Sequence, residues 1–132
     1  MIAWFSIPST DFDRAVKFYE TIFDLKMDVH DADDGGKYAM FPGDPHKDVL
    51  GGITQDPTFA PSDDGVRVYL NANGVMDDVL ARIPNAGGEV LTPKTSMGEM
   101  GWYAIFRDTE GSSIAMYDLS LIHISEPTRL TS

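Results

Sequence analysis

Apolar and polar positions alternate along residues 2–7, where Ala3, Phe5 and Ile7 form one set and Ile2, Trp4 and Ser6 the other. Period-two alternation is the mark of a strand with two unlike faces. After a polar turn at residues 8–11 the period changes. Phe12, Ala15, Val16, Tyr19 and Phe23 recur at spacings of three and four, which predicts a helix burying one stripe. The same order returns roughly 63 residues later, as from Trp4 to Arg67. Val66, Val68 and Leu70 alternate with Arg67, Tyr69 and Asn71. Asn73-Gly74 turns, and Val75, Val79, Leu80, Ile83 and Ala86 make a second helical stripe.

The segments between complete each copy. Strands are expected at residues 25–30, 37–41 and 48–54, with a turn at Gly35-Gly36 and a loop over 42–45. Residues 56–65, rich in Pro and Asp, read as the linker between halves. Gly87-Gly88 stops the second helix. Residues 89–93 then form a strand and 94–101 a loop containing Gly and Met. Two final strands, 102–107 and 112–118, flank Asp108-Thr109-Glu110-Gly111, which suits a type I turn with Gly in the left-handed position of a bulge. Each half is therefore β-α-β-β-β, and neither buries its apolar face alone. The expected fold class is α+β: one domain over residues 1–118, built from modules 1–55 and 66–118.

The chain has 132 residues, enough for a single core. No apolar run approaches the roughly 20 residues of a membrane helix, and no secretory leader is visible. Cysteine is absent, which fits a cytoplasmic setting. The formal charge of −11 opposes nucleic acid and anionic lipid as partners. Clusters such as Asp31–Asp34 and Asp63-Asp64 are expected in solvated loops, since the spacing of a calcium loop is missing. Residues 119–132 stand outside the pattern. Their start, Leu-Ser-Leu-Ile-His-Ile-Ser-Glu-Pro-Thr-Arg, looks like the translation of a transposon-end sequencing adapter, so a non-native tail is expected there.

Asp11-Phe12-Asp13-Arg14-Ala15, followed by Phe18-Tyr19 and Ile22-Phe23-Asp24-Leu25, resembles the first-helix signature of the vicinal oxygen chelate superfamily. That group includes glyoxalase I, bleomycin-resistance proteins and extradiol dioxygenases. Asp108-Thr109-Glu110-Gly111-Ser112-Ser113-Ile114 resembles its closing hairpin. The resemblance implies a curved mixed sheet, a cup with helices on its convex face. It also implies that metal-dependent members take ligands from the first and fourth strands of each half. Here those positions hold Trp4, Arg67 and Ala115, with the remaining one somewhere between Asp48 and Gln55. None of the first three can bind a divalent ion, so no metal and no cofactor is expected. His30 and His46 are expected to be solvated.

The closing hairpin has two candidate registers. The bulged turn pairs Phe106 with Ile114 and Ala104 with Met116 on the helix-packed side; a two-residue turn would shift every side chain to the other face. With the bulge, the face opposite the helices collects Trp4, Ser6, Arg67, Tyr69, Asn71, Tyr103, Ser113 and Tyr117. Aromatic walls with a few placed polar groups describe a small-molecule site. Arg67 either anchors an oxyanion through its planar fork or neutralises a neighbouring carboxylate. Glu99, in the 95–101 loop with Met97 and Met100, is the general-base candidate if catalysis occurs.

The leading expectation is a protein binding a small organic molecule without a catalytic metal. The alternatives are a lyase or isomerase acting on a small organic anion, a metal-dependent enzyme with displaced ligands, and a structural module with a closed cup. The resemblance also allows a homodimer.

Overall fold

A computed structural model describes residues 1–31 and 36–119; the expected turn at Gly35 and the tail from residue 120 lie outside the described residues. Strand β1 is Trp4–Pro8 and helix α1 is Phe12–Phe23. Strands β2, β3 and β4 are Asp28–Asp31, Lys37–Met40 and Leu50–Gln55. The second module holds β5 at Tyr69–Asn71, α2 at Met76–Ala86 and β6 at Glu89–Ser96. Its last strands are β7 at Trp102–Arg107 and β8 at Ser113–Asp118. Each module makes its own four-stranded sheet, in the orders β1-β4-β3-β2 and β5-β8-β7-β6. In both, the first and fourth strands run parallel and the rest antiparallel, so both sheets are mixed as the repeat requires.

Helix α1 starts where Asp11 accepts the Arg14 amide at 3.1 Å, satisfying one of the free N–H groups of the first turn. It ends at Asp24, left-handed at φ 52°, whose amide returns to the Glu20 carbonyl. Phe12, Ala15, Val16, Phe18, Tyr19 and Ile22 face inward. Helix α2 stops at Gly87, whose φ of 105° favours glycine. The helices touch each other, with α1 against β4 and α2 against β6 and β8. Between them lie Ile7, Ile53, Met76, Ile83, Phe106 and Met116 at 1% exposure or less. No helix among the described residues is long and apolar enough to cross a membrane.

The closing hairpin takes the bulged register: Phe106 stands opposite Ile114 and Ala104 opposite Met116, with Gly111 at φ 98°. Three expectations are corrected. The second strand was expected from residue 25 but begins at Asp28, because the Leu25 amide closes the end of α1 on the Glu20 carbonyl and the Met27 amide goes to Glu20 Oε2 at 2.9 Å. The fifth strand was expected from residue 66 but begins at Tyr69. The Val68 carbonyl accepts the Ala115 amide at 2.9 Å, yet the next amide of that ladder, on Ser113, goes to Ser62 in the linker at 3.4 Å. Val66 is thereby released to solvent, 99% exposed. The sixth strand, expected to end at Pro93, continues to Ser96. It lies at a sheet edge, where a missing N–H costs no ladder bond, and two register shifts accommodate the irregularity.

The modules are fastened where the last hairpin meets the start of α1. Glu110 Oε1 accepts the amides of Thr10 and Asp11 at 2.8 and 2.7 Å and the Thr10 hydroxyl at 2.9 Å. Its Oε2 accepts Arg14 Nε at 2.7 Å and the Thr109 hydroxyl at 2.9 Å. These bonds hold the Glu110 carboxyl down at about 2 despite its desolvation.

Candidate functional site

A cleft of about 1000 Å³ lies between the two modules, walled by β1, the start of β4, part of the linker, residues 65–71 and the start of β8. A second cavity of about 550 Å³ adjoins it on the β5-β8-β7 face. Alternation within the strands sorts the side chains by face. Leu70, Ala104, Phe106, Ile114 and Met116 point to the helices, so their neighbours point away.

Of the residues expected on the mixed face, Trp4, Ser6, Arg67, Tyr69, Asn71 and Ser113 line the larger cleft. Tyr103 and Tyr117 line the smaller cavity, together with Asn73, Met97 and Leu119. Tyr69 and Asn71 line both. The eight thus fall into two adjoining compartments rather than one bowl. Glu99 is exposed in the turn Gly98–Met100 and is among the lining residues of neither.

Local bonds fix several of these groups. Trp4 Nε1 donates to Ser6 Oγ at 2.9 Å, two residues along the same strand face. Tyr117 donates its hydroxyl to the Met100 carbonyl, tying the Gly98–Met100 turn to β8. The Asn71 side-chain oxygen accepts the Asn73 amide at 2.9 Å, and that of Asn73 accepts the Leu119 amide at 2.6 Å. Arg67 is exposed and makes no ion pair or hydrogen bond with the described residues. Asp48 is the single carboxylate lining the larger cleft, and its Oδ2 accepts the Asp44 amide at 2.8 Å.

The pattern of the sequence missed part of this lining. Phe5, Phe23, Leu25 and Phe41 were legible only as core, yet each has an edge on the cleft, because the gap between sheets reaches the helix-packed layer. Phe59 and Ser62, from a linker that carries no periodicity, also wall it. So does Ser112, the first residue of the expected last strand, which in the structure stands just before β8.

The donor set does not suit a divalent cation. On the face away from the helices, the register sets Trp4 beside Leu50, Ser6 beside Gly52, Tyr69 beside Ala115 and Asn71 beside Tyr117. None of these is a carboxylate or imidazole. Gln55 spends its side-chain oxygen on the Phe12 amide at 3.3 Å. No group of three or more His, Cys, Asp or Glu side chains converges among the described residues. Of the histidines, His46 is exposed as expected. His30 departs from expectation: it is half-buried, with Nε2 3.0 Å from Asp28 Oδ2 and its ring stacked on Tyr38.

The chain matches the model of the Glyoxalase/Bleomycin resistance protein/Dioxygenase superfamily over residues 1–116. It is 30% identical over 122 residues to a glyoxylase-like domain-containing protein of Didymella fabae, covering 87% of this chain and 91% of that one. It is 26% identical over 118 residues to CFP32 of Mycobacterium bovis, named provisionally as a glyoxylase, covering 86% of this chain. It spans 44% of that relative's length. Among solved structures it is similar to a glyoxylase/bleomycin resistance protein/dioxygenase domain from Frankia sp., with TM-score 0.69, 20% identity and coverage of 89% and 95%. A mutant glyoxalase I from Zea mays gives TM-score 0.66, 20% identity and coverage of 89% and 46%. At such identities the structures speak for the fold alone.

Proposed function

The chain belongs to the Glyoxalase/Bleomycin resistance protein/Dioxygenase superfamily, and we propose that it binds a small organic molecule in the cleft between its modules without a catalytic divalent ion. The observation that carries this reading is the lining: about 1000 Å³ walled by Trp4, Phe5, Phe41 and Phe59, with one cation, one carboxylate and a few hydroxyls. A volume of that size accepts a drug-sized ligand, and such a ratio of apolar wall to placed polar groups suits binding with orientation. Trp4 is 42% exposed, which leaves ring surface for a ligand to cover. The metal-free part of the proposal rests on the donor chemistry of the paired strand positions. The net charge of −11 favours a small-molecule partner over nucleic acid, and the lack of cysteine suits a cytoplasmic setting.

The test is a thermal-shift screen of the full chain against a library of small organic compounds, with elemental analysis of the same preparation. Compounds that raise the melting point and quench Trp4 fluorescence are expected. A library that leaves the melting point unmoved sinks the binding role. One zinc, nickel or iron per chain sinks the metal-free part.

A further inference from the structure

Two polar groups lining the cleft set the chemistry of what it holds. Of the four arginines among the described residues, three are engaged. Arg14 pairs with Glu110, Arg107 with Asp63 and Glu89, and Arg82 donates to the Ile22 carbonyl. Arg67 has no such partner, in a chain with 21 acidic residues against 10 basic ones. An unpaired guanidinium is unusual where carboxylates outnumber cations so heavily. Ser112 supplies the second group. It is 4% exposed, and its Oγ is buried with no hydrogen-bond partner among the described residues. Its own amide is spent on Asp108 Oδ1 at 3.0 Å. A buried hydroxyl without a partner is disfavoured, and a ligand atom that accepts from it removes the penalty. Beside it the Ser113 amide donates to the Ser62 carbonyl, which brings the linker against the start of β8. Ser62, residues 65–67 and residues 112–113 therefore wall the cleft together, and Phe23, Leu25 and Phe41 contribute apolar surface to the same space.

Resting on the reading of this cleft as a small-molecule site, we propose that its ligand is an amphipathic organic monoanion, a carboxylate with an aromatic or aliphatic body. Arg67 and the Ser112 hydroxyl take the carboxylate, and the apolar layer takes the body. A planar guanidinium fork matches two carboxylate oxygens, and a hydroxyl donor completes the set. A second negative group on the ligand would find Asp48 as its remaining charged neighbour in the lining, and that contact is repulsive. One charge is therefore the fit.

The experiment is calorimetric titration of the full chain with phenylbutyrate, with the neutral isostere phenylbutyramide, and with phenylbutylamine. Phenylbutyrate is expected to bind at least ~10-fold more tightly than the amide, and the amine not at all. Arg67→Gln should remove most of that preference, lowering affinity for phenylbutyrate far more than affinity for the amide. Ser112→Ala should reduce the carboxylate preference severalfold without lowering the melting point, since it deletes a hydroxyl that has no partner in the free protein. Equal binding of carboxylate and amide overturns the anion assignment and leaves the small-molecule reading standing. Silence from all three compounds, with other members of the library active, also overturns the assignment. Silence from the whole library overturns the reading beneath it.

Discussion

The Tyr19 hydroxyl donates to Asp108 Oδ2 over 2.7 Å, joining the first helix to the final hairpin across 89 residues of sequence. Both residues are buried, Tyr19 at 0% and Asp108 at 4% exposure. Burial pushes the tyrosine well above its ordinary pKa, with the Asp108 charge beside it adding to the effect. Burial also raises Asp108, against the lowering effect of the hydrogen bonds it accepts from Tyr19, Ser112 and Glu110. Each group is tolerable inside because the other is there. Tyr19→Phe keeps the ring against Phe18 and Phe106 but strips Asp108 of one donor. The expected cost is about 1–3 kcal/mol, read from urea unfolding. A midpoint equal to the parent's would remove this bond from the account of how the modules hold together.

Glu110 predicts an acid limb. Its carboxyl lies at about 2 when folded and at the ordinary 4.5 when unfolded. A depressed carboxylate contributes stability above its unfolded value, and that contribution fades as pH falls from 4.5 toward 2. Asp108 works in the opposite sense. Its raised value means that the native state takes up a proton first, so acid favours folding through that group. Glu110 has the larger effect, because five hydrogen bonds converge on it. The native protein is expected to lose up to about 2 kcal/mol between ~pH 6 and ~pH 3, with the remainder going below ~pH 3. Glu110→Gln should start lower and lose the limb. If that variant keeps the parent's pH dependence, another carboxylate is responsible.

Much of this fold was legible because its signals are local and repeated. Both helical stripes, the Gly87 stop and the Asp108–Gly111 turn follow from periodicity and turn chemistry within a few residues. The hairpin register was legible because only one choice gathers Phe106, Ile114, Ala104 and Met116 on one face. The failures are non-local. Nothing near Val66 signals that a linker carbonyl from Ser62 will take the amide that would extend the fifth strand. Nothing within β6 signals that it lies at an edge where Pro93 is harmless. The same limit applies to the site. Alternation sorted the strand residues by face, but it groups Ser112 with Ile114 and Met116 on the helix-packed side, and the linker residues are outside any alternating run. The larger cleft depends on which side chains meet across modules.

The glycine pair in β4 separates a backbone constraint from a side-chain one. A Cβ on Gly52 would sit 2.0 Å from the Ala39 carbonyl oxygen, in the neighbouring strand β3. That oxygen belongs to backbone, so relief requires the strands to part. A Cβ on Gly51 would sit 2.2 Å from the Phe5 ring, which can rotate away at the cost of its stacking on Phe41. Gly52→Ala should therefore be the more damaging, by at least ~2 kcal/mol in denaturant unfolding, with Gly51→Ala milder. Gly51→Ala has a second expected effect, because Phe5 and Gly51 both wall the larger cleft: ligand affinity should change more than stability does. The reverse ranking of the two variants would contradict the β3–β4 geometry.

Tyr69 offers the cleanest separation of site from scaffold. Its side chain is 51% exposed and borders both cavities, while its neighbour Leu70 turns to the core at 9% exposure and holds the strand in place. The backbone pairing of Tyr69 with Ala115 does not need the ring. Truncation at this position should shift the unfolding midpoint by no more than the ~0.5 kcal/mol typical of surface substitutions. The ring is nevertheless part of the partition between the Arg67 compartment and the one holding Tyr103 and Tyr117. Tyr69→Ala is expected to join the two spaces into one elongated site, and the compounds that stabilise the protein most should become longer. A homologous series of phenylalkanoates, ranked by thermal shift on parent and variant, measures this directly. The optimum chain length should increase in Tyr69→Ala; an unchanged ranking would mean that the two cavities do not communicate through this residue.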